Sequence, residues 1–205
     1  MLKLLLVLVV GYLLGNFSTG VVLSRCAKGM DIRDYGSKSA GSTNMLRVLG
    51  RSSAALTLIG DMLKGIIAAL IGGWLLGGKF GALLGGIAAI VGHDFPALLH
   101  FKGGKGIATS FGLLLYLYPI QSLIVLAFFI LIVALTHYVS VGSIASACLY
   151  PFIITATTPF DLRVTLCLVV ICVLAVFCHR ANIQRLLAGK ENKLDFSTLK
   201  GKKQK

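Results

Sequence analysis

The sequence predicts an all-α polytopic membrane protein, a bundle of about seven transmembrane helices with the N-terminus outside and the C-terminus cytoplasmic. Three observations predict it. Of the 205 residues, 57% are hydrophobic and only 13% are charged, with a mean hydropathy of +0.89; a soluble domain of this length has no use for so much apolar surface. The apolar residues fall in long runs separated by short polar stretches, the pattern of successive spans. Sixteen of the twenty Lys and Arg residues lie in segments that share one face when seven helices are counted, as cytoplasmic loops require. No long polar linker interrupts the runs, so residues 1–205 are expected to form a single domain with a polar, basic tail over 190–205.

The elements follow in order. Residues 2–24 carry one lysine and then an apolar run without a small-x-small cleavage site, which predicts a retained first helix and not a signal peptide. Residues 25–52 form a long polar loop. The second helix spans 53–76 and the third 80–99, joined by Gly77-Gly78-Lys79, and residues 100–106 make a short basic loop. The apolar run 107–136 is too long for one span and contains Pro119, which lacks a backbone donor. It is therefore split into helices at 107–118 and 120–136. Helices at 141–157 and 162–178 complete the set, and the tail from His179 is polar. If 107–136 were one helix, the last two loops would change sides and eight positive charges of the tail would face outward. Glycines 73, 77, 81 and 85 are spaced by four and suit close helix approach, unless the turn at Gly77 breaks the stripe.

The net charge of +13 belongs to those cytoplasmic loops, so no nucleic-acid partner is expected; the bilayer is the expected partner. Five scattered cysteines, without a CxxC pair, form neither a disulfide framework nor a metal site. HExxH, DxD and a repeated acidic pattern are missing, and Glu191 is the sole glutamate. Neither a metal nor a cofactor is expected.

Everything able to do chemistry lies on the expected cytoplasmic face. The loop at 31–47, "DIRDYGSKSAGSTNMLR", is dense in Gly, Ser, Thr and Asn and closes with Arg47, a pattern that suits an anion through backbone, hydroxyl and guanidinium donors. In "FKGGKGIATSFG" at 101–112, Gly103 and Gly104 precede Lys105 at a predicted helix start near Gly106, where exposed N–H groups, a positive dipole end and an ammonium converge. It is not a Walker loop, because Lys105 is followed by Gly106 and not by Ser or Thr. Lys102 reads equally well as a membrane-edge anchor. Ser140 and Ser143 begin a helix, and His179 and Asn182 stand one turn apart. Within the apolar runs, Asp61 and Lys64 can pair at i,i+3, and His93 and Asp94 sit near the end of the third helix.

In chain order the motifs read "GSKSAGSTNMLR" at 36–47, "DMLKG" at 61–65, "GHDFPALLHFKGGKGIATSFG" at 92–112, "YVSVGS" at 138–143 and "HRANIQRLLAGKE" at 179–191. This series resembles the bacterial integral-membrane glycerol-3-phosphate acyltransferases that use acyl-phosphate as donor, whose pattern is roughly GSGNxGATNxLR, DxxKG, GHxFPxxxxFKGGKGxAT, YxSxxS and HRxNIxRLxxGxE. The chain departs from it at Lys38 and Ser39, where the pattern has Gly-Asn, and at Ser42 and Ala181. The resemblance implies a seven-helix enzyme of the bacterial cytoplasmic (inner) membrane with its active site facing the cytoplasm. It would transfer an acyl group from acyl-phosphate to the 1-hydroxyl of glycerol 3-phosphate, giving lysophosphatidic acid and inorganic phosphate, without a cofactor or an obligatory protein partner. It implies substrate-phosphate binding by Gly36, Ser37, Thr43, Asn44, Arg47, Gly103, Gly104 and Ser143, and catalytic roles for Lys105, His179 and Asn182. For the proton, it leaves open His179 or a substrate phosphate. The alternative is a transporter for a phosphate-bearing small molecule. That reading predicts internal repeats or polar groups at mid-depth; no repeat is found, and the polar motifs gather on one face.

Overall fold

The computed structural model describes residues 1–194; the last part of the expected tail, with Lys200, Lys202, Lys203 and Lys205, lies outside them. Ten α-helices are present among the described residues: α1 (Leu2–Asn16), α2 (Thr19–Lys28), α3 (Ser42–Leu49), α4 (Arg51–Leu76), α5 (Gly78–Asp94), α6 (Ile107–Leu117), α7 (Pro119–Thr136), α8 (Val139–Thr157), α9 (Leu162–Cys178) and α10 (Arg180–Leu187). Five stretches are long and apolar enough to cross a membrane: Leu2–Lys28, Arg51–Leu76, Gly78–Leu99, Pro119–Thr136 and Val139–Thr157. The pair α9 and α10, bent by 54°, makes a sixth if it is one span, and α6 is apolar but shorter. The chain is thus an all-α polytopic membrane bundle.

Two differences from the sequence reading shape the site. The first span is not one helix: it breaks at Phe17, and α2 restarts with Ser18 as N-cap, its side chain accepting from the Val21 N–H. The freed carbonyls of Gly15 and Phe17 are taken by the Lys64 ammonium at 3.3 and 2.9 Å, so a lysine of α4 satisfies what the break exposes. In addition, the polar loop contains a helix, α3, whose buried Asn44 and Met45 sit over a small core of Val21, Ile32 and Ala40.

The main core lies deeper, around Leu83, Leu113, Leu114, Ile154 and Leu168. Helices α1, α4 and α5 approach through glycines. A Cβ at Gly15 would overlap the Ala89 carbonyl, and one at Gly72 the Gly81 carbonyl, so the backbones lie too close for side chains between them. Gly77, expected in the packing stripe, instead forms the α4–α5 turn with a φ of 83° and meets nothing. Pro119 starts α7, as its missing N–H favours. Cys148 and Cys172 face each other across α8 and α9 at 3.7 Å between sulfurs.

Turns gather at two ends. At one, the Arg33 guanidinium donates to the Leu99 and Lys102 carbonyls at 2.9 and 3.0 Å, tying the first loop to the basic loop, and the Leu194 N–H donates to the His137 carbonyl. At the other, Lys79 lies over the Tyr118 ring and Arg163 over Phe80.

Candidate active site

A cavity of about 720 Å³ opens among α3, α4, α6, α7, α8 and α9. Its polar end holds Ser37, Arg47, Lys105, Ser143, His179 and Asn182; its apolar end holds Leu114, Val125, Phe129, Tyr150 and Ile171. On α8, Ser140, Ser143 and Tyr150 follow one face, so the apolar end lies ~10 Å beyond the serines at 1.5 Å per residue.

The loop before α3 is built around one side chain. Asn44 is 1% exposed; its amide nitrogen donates to the Ile32, Tyr35 and Ser39 carbonyls, and its oxygen accepts from the Ser37 N–H at 2.8 Å. Its hydrogen-bonding capacity is taken up within the loop, and the Ser37 hydroxyl is left at the cavity wall. Gly36 has a φ of 58°, and a Cβ there would overlap the Asn44 amide. Lys38, which replaces a glycine of the family pattern, also has positive φ, 58°, but its side chain is exposed and is not part of the cavity wall. Thr43 and Arg47 are four residues apart on α3 and both line the cavity. Burial lowers the Arg47 pKa, and the nearby Glu191 counters that.

The second side of the polar end joins the glycine loop to the chain after α9. The Lys105 ammonium donates to Asn182 Oδ1 at 2.6 Å, Asn182 Nδ2 donates to Glu191 Oε1 at 2.6 Å, and the Ser140 hydroxyl donates to the same oxygen at 2.9 Å. Arg185 Nε reaches Glu191 Oε2 at 2.8 Å. Burial lowers the Lys105 pKa to about 8, against the pull of Glu191 and with help from Arg185 and Arg47. For Glu191, burial opposes the charge, but hydrogen bonds from Asn182, Ser140 and Arg185 outweigh it and hold the carboxyl below its ordinary pKa. Glu191, Asn192 and Leu194, assigned by sequence to the tail, therefore belong to the site wall.

His179, at the junction of α9 and α10, is 2% exposed. Its Nδ1 lies 2.7 Å from the Ala175 carbonyl, which can only accept, so Nδ1 carries the proton and Nε2 keeps its lone pair. Of the residues expected to act, Ser37, Thr43, Asn44, Arg47, Lys105, Ser143, His179 and Asn182 all line the cavity. Gly36, Gly103 and Gly104 are not among the residues that line it. The Gly104 N–H is not displayed to the cavity; it donates to the His93 carbonyl at 3.0 Å. Sequence reasoning passed over Glu191 and His93 as site residues. Glu191 carried a signal, as the only glutamate in the chain; the cavity position of His93 depends on packing between distant helices.

Comparison with known proteins adds to this geometry. The profile of the family described as glycerol-3-phosphate acyltransferase matches residues 5–189. The glycerol-3-phosphate acyltransferase of Thermoanaerobacter pseudethanolicus is 43% identical over 190 residues, 93% of this chain and 95% of that protein. The enzyme of Clostridioides difficile is 44% identical over 198 residues, with 93% and 95% covered. Among solved structures, PlsY, an integral membrane glycerol 3-phosphate acyltransferase, superposes in its glycerol 3-phosphate form with a TM-score of 0.90 at 32% identity, covering 97% of this chain and 99% of that one. Its lysophosphatidic acid form gives a TM-score of 0.87.

Proposed function

This chain belongs to the glycerol-3-phosphate acyltransferase family, and from that premise we propose that it transfers a fatty acyl group from acyl-phosphate to the 1-hydroxyl of sn-glycerol 3-phosphate, releasing lysophosphatidic acid and inorganic phosphate. The observation that carries this reading is a cavity with a cationic end, Arg47 and Lys105, and an apolar end bounded by Leu114, Val125 and Tyr150. One end suits phosphate and the other an acyl chain.

Arg47 and Lys105 neutralise the phosphates, with the hydroxyls of Ser37, Thr43 and Ser143 as further donors. Asn44 and Gly36 hold the loop that presents Ser37, and Gly103 and Gly104 shape the turn that presents Lys105. Asn182, fixed by Glu191, holds the Lys105 ammonium. The glycerol oxygen bonds to the acyl carbon, the bond from that carbon to the phosphate oxygen breaks, and the hydroxyl proton passes to the phosphate. His179 Nε2 accepts a hydrogen bond from the neighbouring 2-hydroxyl and so orients the glycerol phosphate, leaving the 1-hydroxyl proton free to pass to the phosphate. Holding both reactants in place contributes on the order of 7–11 kcal/mol of barrier lowering. Purified protein given both substrates is expected to release phosphate, and neither substrate alone is expected to; no release by folded protein with both present would sink the reading. His179→Ala is expected to raise KM for glycerol 3-phosphate more than it lowers kcat, whereas loss of all turnover at saturation would make His179 the obligatory base.

The same reading gives seven passes in one domain, residues 1–205, with the N-terminus outside and the C-terminus and active site cytoplasmic. Support comes from α6. Lys105 precedes it at the end where Arg33 meets Lys102, and Tyr118 follows it at the end shared with Lys79. A helix of 11 residues thus runs from one cluster of turns to the other, ~16 Å by helical rise.

A further inference from the structure

Beneath the glycine loop lies a buried cluster that the reaction as described does not use. Lys64 Nζ is 2.9 Å from Asp61 Oδ1, 2.9 Å from the Phe17 carbonyl, 3.3 Å from that of Gly15 and 2.6 Å from His93 Nδ1. Thr19 also donates its hydroxyl to Asp61 Oδ1, at 3.2 Å. Lys64 and His93 are each 5% exposed. The carboxylate and the two carbonyls can only accept, so Lys64 is the ammonium, which has protons to give and no lone pair. His93 Nδ1 must therefore accept, and the proton of this imidazole sits on Nε2.

That nitrogen is aimed at the loop. The ring fills the place that a side chain at position 104 would take, with Nε2 the ring atom nearest to it. His93 lines the cavity beside Asp61 and Lys105. Among the described residues Nε2 has no hydrogen-bond partner, and it is not fully buried. A neutral N–H at the edge of the cavity, without a partner among the described residues, suits one kind of ligand atom, an anionic oxygen brought in from the cavity.

Given that the cavity takes phosphate substrates, we propose that His93 Nε2–H donates a hydrogen bond to an oxygen of the phosphate held beside Lys105, and that Lys64 fixes the tautomer that makes this possible. Asp61 and Thr19 hold Lys64, and the Lys64 ammonium also closes the break in the first span. The second helix, the third helix and the first span thereby converge on one donor.

The test uses the full-length protein in detergent micelles with ¹⁵N-labelled imidazoles, titrated with inorganic phosphate and separately with glycerol 3-phosphate; His93→Asn assigns the signal. His93 is expected as the Nε2–H tautomer with an acceptor-type Nδ1, and its Nε2–H proton is expected to move downfield as phosphate binds. His93→Asn keeps an acceptor for Lys64 but removes the Nε2 donor. It is expected to weaken phosphate binding about tenfold, with the kinetic loss in KM more than in kcat. His93→Gln places an amide N–H near the lost donor and is expected to recover most of that loss. An Nδ1–H tautomer, an Nε2–H signal unmoved by saturating phosphate, or unchanged phosphate affinity in a folded His93→Asn protein would each overturn the proposal. If the variants do not fold, the titration of the unsubstituted protein decides. The two readings fail separately: a chain that transfers no acyl group from acyl-phosphate, yet shows the phosphate-dependent shift, loses the donor assignment and keeps this one.

Discussion

Two lysines three residues apart meet different fates. Lys105 is drawn into the cavity against Asn182, while Lys102 is exposed and bonds through its backbone, its carbonyl accepting from Arg33 and its N–H donating to the Leu99 carbonyl. Lys105→Ala is expected to lower kcat/KM by about 10²-fold or more, since a buried charged hydrogen bond is lost at the phosphate; Lys102→Ala is expected to stay within about twofold, because an exposed cation contributes little. Parallel turnover assays on the two variants measure the contrast. Burial lowers the Lys105 pKa to about 8, so in the substrate-free enzyme its charge is present below that pH and lost above it. The KM of the phosphate substrate it holds is therefore expected to rise as pH climbs past about 8, by up to about tenfold per unit, and Lys105→Arg should stay flat over that range because arginine remains protonated. A pH profile of KM for both proteins checks it. The difference between the lysines was legible in sequence, because one is embedded in glycines at a helix start. The Lys64–His93 contact was not, since nothing local to either residue shows that α4 and α5 bring them to 2.6 Å.

Among the elements, hydropathy placed the long helices well and missed what polar residues do inside them. Residues 2–24 read as one helix because Phe17 and Val21 to Leu23 keep the run apolar. The break at Phe17 depends on Lys64, 47 residues away, donating a hydrogen bond to its carbonyl. Helix α3 was hidden in a loop that resembles a solvated turn by composition, although Met45 beneath it is fully buried. The loop leading to α3 is also where this chain departs from its family's pattern, and Lys38 there has a φ of 58°. That conformation costs a residue with a Cβ ~1–2 kcal/mol, partly offset in glycine by chain entropy. Lys38→Gly is expected to stabilise the protein by about 0.5–1 kcal/mol without loss of activity, because the lysine side chain is exposed and outside the cavity. Thermal unfolding in detergent, with turnover measured alongside, is the check.

At the scale of the whole molecule, charge and chemistry share one end. On the proposed orientation the basic loops carry the site because a phosphate-handling cavity and the positive-inside rule both call for cations at the same ends of the helices. That overlap made the gathering of the motif residues around one cavity legible in the sequence, yet it left anchors and ligands alike in a list of charges. The orientation has a direct test in a native thiol. Cys26 is exposed near the end of α2, while Cys148, Cys167 and Cys172 lie within α8 and α9. In intact cells a membrane-impermeant thiol reagent is expected to leave Cys26 unlabelled, and in inside-out vesicles to label it. Labelling from outside the cell would reverse the topology.

Glu191 comes after every membrane helix in the order of synthesis, yet its carboxylate fixes Asn182, and through it the Lys105 ammonium. A ribosome paused before residue 191 has already made all ten helices, but neither the acid that sets the site's cations in place nor Asn192 and Leu194 of its wall. The ordered site is therefore expected only after residues 191–194 have been made. A nascent chain threading into the bilayer has no ordered site with which to draw on the cell's phosphate esters before its last turn is home.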